Sequence, residues 1–452
     1  MSMEILSVKD IDPTIGSGNP VADTAAFIEA IFRARNHPAR WISIPAGTYY
    51  INETLLYRTT DREAPGLTLF GAGMYNTILV NCVDDGPLLR LRGGVHSFNK
   101  QYGSRIADFS IVGPATAAAK TSSKRMVEKR INLLSNRVNG TARNRFKSIG
   151  TDSPQNRSDM LSETQLEPPS IFPDPSARRA GIEFQCAWQC DMDRVRVQGL
   201  DRNGILVVSD AGDGAGEEDS SAYLRFKNCI IKQNAGHGMN FSSASGTLGI
   251  EHVSIVNCDI TGNAFGGIKG VGVGTFAVQG CGIGANGGGE GGTGGIYIGY
   301  DGIDSHHITI KECEMGNNTS PASIWLETSV CGEISHSRFG KAYFENDEKG
   351  IVVGPLPGNP NHGSVREFAC RQNWFSIDYE EVGEHTGVYN VNAPYTAFDI
   401  TSIVRNFYIE KNRFAHFFLN PAYEAMVKKL EVAGDVDPNW YVFDDKSDRI
   451  GF

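Results

Sequence analysis

The 452-residue chain lacks the features that would place it in several large classes of protein. No stretch approaches the ~18 consecutive apolar residues of a membrane helix, and the first residues, MSMEILSVKD, lack the charged and apolar regions of a signal peptide. Only 19 residues are proline, which argues against a low-complexity linker. Lys and Arg (42) are outnumbered by Asp and Glu (52), and the net charge of −10 argues against a nucleic-acid or anionic-membrane partner. We therefore expect a soluble chain with no visible export signal and no membrane insertion.

The nine cysteines lack the spacing of a metal site or a disulfide framework. Four of them recur at intervals of 29, 23 and 32 residues, each in a phrase of the form polar-Cys-x-hydrophobic: Cys229, Cys258, Cys281 and Cys313. A metal site would need paired cysteines or convergent Cys and His, which these phrases do not contain. We predict a stack of reduced cysteines, each a small inward-facing residue at the same point of successive coils.

Glycine, in contrast, is abundant at 52 residues and recurs in a second phrase. The phrase reads NGILVVS, HGMNFSS, GGIKGVG, GGIYIGY, ASIWLET, KGIVVGP and TGVYNVN, starting at residues 203, 237, 266, 294, 322, 349 and 386. Units of 20 to 50 residues with alternating apolar positions and no helical spacing are typical of a β-solenoid. The sequence predicts an all-β parallel β-helix forming one domain, 1–452, with coils of about 28 residues.

The two ends of the chain have the pattern of helical caps. Residues 19–35 mix apolar and polar residues at helical spacing, and a helix there would cover the open first coil and prevent edge pairing. Asn420 followed by Pro421 is a helix start, which predicts a capping helix to about Val432 within a C-terminal cap, 420–452.

The N-terminal part of the sequence resembles the pectate-lyase-like superfamily of right-handed parallel β-helix proteins, which includes phage tailspike depolymerases. The resemblance lies in ADTAA (22–26) leading the helix, IPAGTYYI (44–51) and GLTLFGAGMYNTIL (66–79). It covers about 80 residues and implies the right-handed fold. It implies less about chemistry, because hydrolases, lyases, epimerases and tail proteins share this opening.

Residues 114–179 interrupt the repeat. Between Lys120 and Arg157 the segment has ten Lys or Arg against Glu128 and Asp152, a local charge of +8 in an acidic protein. We interpret it as a polar basic insertion with a short helix. It is either a solvated loop or a flap or protomer contact that attracts an anionic glycan.

Alternation along the second phrase predicts which side chains face outward, because successive residues of a strand point to opposite faces. Outward residues of adjacent coils lie ~4.8 Å apart and form a column. The predicted solvent-facing column contains Glu183, Leu206, Asn240, Lys269, Tyr297, Trp325, Val352 and Tyr389. Aromatic rings stack on sugar rings while amides and charged groups bind hydroxyls, so the column predicts a polysaccharide groove. The alternative is that a loop or a partner subunit covers Tyr297 and Trp325.

A second outward column supplies carboxylates. Glu327, in a strand beside Trp325, is the first candidate for a catalytic acid or base, and Asp301 and Asp304 come next. Regular alternation places Asp301 and Glu327 ~8 Å apart, within the ~6.5 to 9.5 Å typical of inverting glycosidases. Asp301 lies with Asp210 in a third column. Asp210 belongs to an acidic loop (209–219) that is more simply interpreted as solvated or calcium-binding. No residue pattern requires a metal or cofactor.

A lyase would use different residues. Lys269 or Tyr297 would remove the proton α to a uronate carboxylate, while a cation neutralises that carboxylate. The competing interpretation of Lys269 is an ordinary solvated side chain.

The triplet Gly236-His237-Gly238 resembles a motif of the polygalacturonase active site. Gly267 stands where that family has the arginine of Arg-x-Lys, and Arg202-Asn203 stand where it has paired aspartates. Without those carboxylates the polygalacturonase mechanism has neither acid nor base. We interpret His237 as a turn residue, with a ligand contact in the groove as the alternative.

These residues favour an enzyme that cleaves glycosidic bonds of an extracellular or capsular glycan, with hydrolysis slightly ahead of uronate β-elimination. A non-catalytic glycan-binding tail protein is the alternative from another class. The resemblance to tailspikes implies a phage virion component or a released protein, and a homotrimer. The sequence itself shows no coiled-coil heptads and no separate trimerisation domain.

Overall fold

Each coil of the chain contributes one strand to each of three parallel sheets. The structure is a computed structural model that describes residues 5–36, 40–58, 66–93, 101–114, 180–209, 220–243, 249–289, 291–300, 302–318, 322–341, 349–355, 363–377, 395–401, 404–416, 427–433 and 441–443. Within these residues the sheets contain 15, 11 and 11 strands, named A, B and C here.

Sheet A contains β1 (Leu6–Ser7), β2 (Trp41–Ile44), β5 (Thr68–Gly71), β8 (Gln101–Tyr102), β9 (Arg105–Ala107), β12 (Ala187–Trp188), β13 (Asp191–Asp193), β16 (Ala222–Lys227), β19 (Ile250–Val256), β22 (Val273–Gln279), β25 (His306–Lys311), β28 (Ser329–Ser335), β31 (Val365–Arg371), β34 (Val404–Glu410) and β37 (Tyr441–Phe443). Sheet B contains β3 (Gly47–Ile51), β6 (Thr77–Asn81), β10 (Ser110–Val112), β14 (Arg196–Gln198), β17 (Ile230–Lys232), β20 (Asp259–Thr261), β23 (Gly282–Gly284), β26 (Glu314–Gly316), β29 (Arg338–Lys341), β32 (Trp374–Ile377) and β35 (Arg413–His416). Sheet C contains β4 (Leu55–Arg58), β7 (Leu89–Arg92), β11 (Ala180–Gln185), β15 (Asn203–Ser209), β18 (His237–Ser243), β21 (Gly266–Val271), β24 (Gly294–Gly299), β27 (Ala322–Leu326), β30 (Lys349–Val353), β33 (Tyr395–Ile400) and β36 (Val427–Val432).

The turn from sheet A to sheet B is short because one residue per coil adopts a left-handed conformation. Asn228, Asn257, Glu312 and His336 have φ between 52° and 55°, and Gly280 occupies the same place in its coil. Asparagine and glycine tolerate this conformation best, which agrees with their presence here. The predicted all-β solenoid is confirmed.

The predicted cysteine stack is confirmed. All nine cysteines are free thiols, and Cys229, Cys258, Cys281 and Cys313 are buried at the start of successive sheet B segments. The backbone N–H of Cys258 donates to Sγ of Cys281 at 3.4 Å. In later coils the same position is occupied by Ser337, Asn373 and Asn412, as their mutual hydrogen bonds show.

A buried asparagine ladder five residues after the cysteines escaped the sequence analysis. The side-chain amide of Asn234 donates to Asn263 at 2.9 Å, Asn263 donates to Asn286 at 2.9 Å, and Asn286 donates to Asn318 at 3.1 Å. Its members repeat at the same 29, 23 and 32 intervals, so the signal was present in the sequence. Each amide is hydrogen-bonded to the next one, and these bonds offset the free-energy cost of burying the polar groups.

The N-terminal cap begins with the short helix α1 (Val8–Ile11), followed by α2 (Pro20–Asn36), which matches the helix expected at 19–35. Helix α2 contacts β2, β3 and β4, one strand from each sheet, so it lies across the open end of the solenoid. Buried Asp23 fixes it there by accepting hydrogen bonds from the backbone N–H groups of Gly16 and Tyr50, at 2.7 and 2.8 Å.

One expectation for the C-terminal part is wrong. Val427–Val432 form strand β36 and not the end of a helix, because Leu430 and Val432 continue the inward rows of Phe398 and Ile400. The phrase at 386–392 lies outside the described residues. The described strand that follows β30 in sheet C is β33, which pairs with β30 and puts Phe398 beside Ile351.

The insertion at 115–179 lies outside the described residues. No helix in the described part of the chain is long and apolar enough to cross a membrane.

Candidate functional site

The outward column predicted on sheet C exists with the expected register over seven coils, from Glu183 to Val352. Backbone pairing joins Asn240 to Lys269, Lys269 to Tyr297 and Tyr297 to Trp325, and Trp325 in turn pairs with Val352. The next member is Asp399, which pairs with Val352. Tyr389, the predicted next member, lies outside the described residues.

The outward aromatic residues are not solvent-exposed, contrary to the prediction. Tyr297 is 5% exposed and Trp325 is 4% exposed, and the two rings pack edge to face with centroids 6.0 Å apart. They form a small apolar cluster with Ala322 and Val352. Trp325 Nε1 donates to the carbonyl oxygen of Gly354 at 2.7 Å. Alternation correctly identified the face, but both rings are buried on it.

Tyr297 and Glu327 form the central polar pair of this face. The Tyr297 hydroxyl donates to Glu327 Oε2 at 2.7 Å, and the backbone N–H of Tyr300 donates to the same oxygen at 3.0 Å. Glu327 is 1% exposed. A Cβ at Gly299 would lie 2.6 Å from the Tyr297 hydroxyl oxygen, so glycine is required where the phenol crosses its own strand. Glu327 is thus an oriented, hydrogen-bonded carboxylate and not the exposed acid that the sequence suggested.

His237 and Lys269 lie on the preceding coils, and both are half-buried. His237 is the first residue of β18, stacks on Phe265, and has Nε2 3.3 Å from Thr293 Oγ1. Burial, and to a smaller extent the nearby charge of Lys269, lower the pKa of His237 to about 3. His237 is therefore a neutral imidazole at physiological pH. Gly266 beside it is small enough to leave room for the ring.

Asn240 and Ser242 are the half-buried polar residues next to Lys269. The Ser242 hydroxyl donates to Asn240 Oδ1 at 2.8 Å, and Asn240 pairs directly with Lys269 across the strands. His237, Asn240, Ser242 and Lys269 thus give sheet C a partly accessible polar patch next to the Tyr297–Glu327 pair.

The remaining predicted residues are spread over the molecule. Glu183 is fully buried and forms an ion pair with Arg90 (3.2 Å), so its predicted exposure is wrong. Asp304 accepts a hydrogen bond at 2.7 Å from Thr328, the residue after Glu327, and lies 3.4 Å from Arg366. Asp210 and Asp301 lie outside the described residues, so the expected 8 Å separation of carboxylates stays a prediction.

Among the described residues, no three His, Cys, Asp or Glu side chains come close enough together to hold a metal ion.

Comparison with known proteins agrees with this architecture. Residues 180–354 match a family described as "Right handed beta helix region". The chain is a right-handed parallel β-helix. This confirms the fold that the N-terminal resemblance implied. No match is found among the curated proteins.

Solved β-helix structures resemble the chain at low identity. The Dettilon tailspike protein (gp208) is 11% identical, with 95% of this chain and 68% of that chain covered and a TM-score of 0.49. The A-module of the Azotobacter vinelandii mannuronan C-5 epimerase AlgE4 is 12% identical, with 95% and 100% covered and a TM-score of 0.47. ORF18 of Geobacillus virus E2 is 11% identical (TM-score 0.46), with 92% of this chain covered, and the chain spans only 62% of its length. Identities and TM-scores at this level do not establish the function of this chain.

Proposed function

We propose that the protein acts on an acidic polysaccharide bound along the outer face of sheet C, and that it cleaves the chain by β-elimination at a uronate. The proposal rests on the side chains that neighbouring strands place side by side in one column. These are the amide of Asn240, the cation of Lys269, and the Tyr297 hydroxyl, which donates to Glu327. A lysine in this position attracts a carboxylate, even though the protein as a whole is acidic.

The chemistry follows from the protonation states. Lys269 would stabilise the negative charge that builds on the uronate carboxylate as its α proton leaves. The Tyr297 oxygen would take that proton while passing its own to Glu327, to which it already donates. The C4–O bond then breaks and a C4=C5 double bond forms; the Tyr297 hydroxyl gives its proton to the departing oxygen and regains one from Glu327, so both side chains return to their starting state. His237, with a pKa of about 3, is too weak a base for this step and would serve as a neutral hydrogen-bonding group.

Hydrolysis is the second candidate, supported by the position of Glu327 beside Trp325 and Tyr297. The described residues favour it less. Glu327 Oε2 already accepts two hydrogen bonds and Asp304 is engaged by Thr328 and Arg366, so neither is poised to protonate a leaving group.

The test is to incubate the protein with a panel of acidic and neutral polysaccharides and to follow reducing ends together with the ultraviolet absorbance of an unsaturated uronate. Both signals together on acidic chains would support elimination. Reducing ends without absorbance would indicate hydrolysis and contradict our mechanism. Binding with neither signal would show a glycan-binding protein and contradict the enzymatic proposal.

Matched variants assign the roles. Tyr297→Phe and Glu327→Gln should each lower kcat by at least ~100-fold, because each removes one proton acceptor of the pair. Lys269→Gln should lower kcat/KM and weaken the preference for acidic chains. Tyr408→Phe, on the outer face of sheet A, is the control and should leave turnover unchanged. Full activity in Tyr297→Phe would rule out the assigned base.

A further inference from the structure

Strands β31 and β34 of sheet A place two arginines side by side. Arg366 pairs directly with Arg405 across the two strands. Arg405 is exposed, and the side chain of Arg366 is 42% exposed. Like charges directly opposite each other destabilise a sheet. These neighbouring positions therefore reduce stability unless an anion lies between the two guanidinium groups.

The other end of the same two strands has the ordinary arrangement of charges. There Arg371 pairs with Glu410, and Nε of the arginine lies 3.4 Å from a carboxylate oxygen of its neighbour. In the part of the chain that the structure describes, no carboxylate forms an ion pair with Arg405. The arginine pair is therefore suited to a carboxylate that comes from a ligand.

The side chain of Arg366 reaches back towards the Tyr297–Glu327 pair. Its Nη2 lies 3.4 Å from Asp304, a residue that follows the strand of Tyr297 in the same coil. Asp304 in turn accepts a hydrogen bond at 2.7 Å from Thr328, the residue after Glu327. Asp304 therefore connects Arg366 to the corner between sheets C and A, where Glu327 lies.

Asp304 occupies only part of the hydrogen-bonding capacity of Arg366. A guanidinium group has five N–H donors, and the contact with Asp304 is a long one made through Nη2. The buried Nε of Arg366 has no hydrogen-bond acceptor among the described residues. The next carboxylate along the strand, Glu367, accepts a hydrogen bond from the amide of Asn406. Donors of the arginine pair are therefore left for a ligand.

The position of the pair suits a polysaccharide that is already bound on sheet C. Arg366 lies one coil beyond Glu327 and two coils beyond Tyr297, which is about 10 Å along the solenoid axis. An acidic polysaccharide carries carboxylates on several of its sugar residues. A chain with one uronate at Tyr297 therefore brings a second carboxylate towards the corner. The planar guanidinium group matches a carboxylate with two parallel hydrogen bonds.

We propose that Arg366 and Arg405 bind the carboxylate of a second uronate residue of the same polysaccharide, beside the residue that is cleaved. Asp304 is then a positioning residue, which holds the guanidinium group of Arg366 at the corner, and not the catalytic acid or base that the sequence suggested. The identity of the ligand rests on the proposed function.

The first test measures equilibrium binding of polygalacturonate, alginate and hyaluronan to the full chain by calorimetry, in a Tyr297→Phe background that keeps the polymers intact. Arg366→Gln and Arg405→Gln should each raise the dissociation constant about 10-fold, the expected loss for one charge-assisted contact. Arg371→Gln, on the same strand as Arg366, is the matched control and should bind like the unsubstituted background. The carboxyl-reduced polymers should not distinguish these proteins.

The second test separates a binding role from a structural one. Removing one of two opposed like charges should leave the unfolding midpoint of Arg405→Gln at or above that of wild type, although the variant binds more weakly. Arg366→Lys keeps the charge but loses the planar fork, and it should also bind more weakly. In the cleavage assay, Asp304→Asn should raise KM and leave kcat nearly unchanged.

Four results would overturn the proposal. They are a chain that binds none of the three uronate polymers, arginine variants that bind them like the background, an Arg405→Gln protein that loses stability together with binding, and a kcat of Asp304→Asn as low as that of Glu327→Gln. Arginine-dependent binding without cleavage would uphold this subsite and contradict the proposed elimination. Cleavage that is indifferent to both arginines would do the reverse.

Discussion

Sheets A and C enclose the same core, yet their outer faces differ. In β16 of sheet A, buried residues alternate with exposed ones, and Tyr223, Arg225 and Lys227 face water. In β24 and β27 of sheet C, every residue is buried, although every second one points outward. The strands have the same pleat and similar length, so alternation alone does not explain this difference.

The difference shows where the solenoid keeps polar groups away from water. A buried polar group is costly unless it is hydrogen-bonded. On sheet C, Glu327 accepts two hydrogen bonds and Glu183 is paired with Arg90. On sheet A, Arg225 pairs with Asp191 at the surface, where an ion pair contributes little. Of these two outer faces, sheet C carries the buried, hydrogen-bonded carboxyl groups, which is why we place the proposed site there.

The largest expected effect on the free energy of unfolding comes from replacing one aromatic residue on each outer face with alanine. Trp325→Ala should lower the free energy of unfolding by about 3 to 5 kcal/mol, since it empties a packed site and frees the Gly354 carbonyl. Tyr223→Ala on sheet A should cost less than about 1 kcal/mol. Denaturant unfolding of the two variants measures both. Equal losses would show that the two outer faces are not different.

A smaller effect is expected from removing single hydroxyl groups. Tyr297→Phe should cost about 1 to 3 kcal/mol, because buried Glu327 loses one of its two donors. Tyr408→Phe, at a half-exposed outward position of sheet A, should be within about 0.5 kcal/mol of wild type. A neutral Tyr297→Phe would mean that the hydroxyl contributes nothing to holding Glu327.

The smallest effect concerns pH. The pKa of His237 is about 3 in the folded state and about 6.5 when unfolded, so the unfolded chain binds the additional proton as pH falls. The free energy of unfolding therefore does not depend on His237 above pH 6.5. Below that pH it falls progressively, by about 1 kcal/mol between pH 6.5 and 5.5, because only the unfolded chain binds the proton. His237→Gln should remove this part of the pH dependence. Unfolding curves of both proteins at several pH values measure it, and identical slopes would contradict the buried, neutral imidazole.

Much of the fold was readable because its signals are local. The cysteine spacing predicted one row of the core, and the second phrase predicted the pairing of Asn240, Lys269, Tyr297 and Trp325. The error at the C-terminal end arose where a local pattern had two solutions. Residues 420–432 have a helix start, but the open sheet edge at β33 offers backbone partners to Val427–Val432.

The sequence by itself determined the solenoid, its coil length and the side of the sheet to which each residue of the repeat points, because a period of two is a property of the strand backbone. Only the tertiary structure decided which outward residues meet water. Tyr297 packs against Trp325 of the next coil, and its hydroxyl lies where a side chain at Gly299 would collide with it. The bond from Tyr297 to Glu327 likewise joins residues thirty positions apart. Contacts between coils are set by packing, which no single stretch of sequence contains.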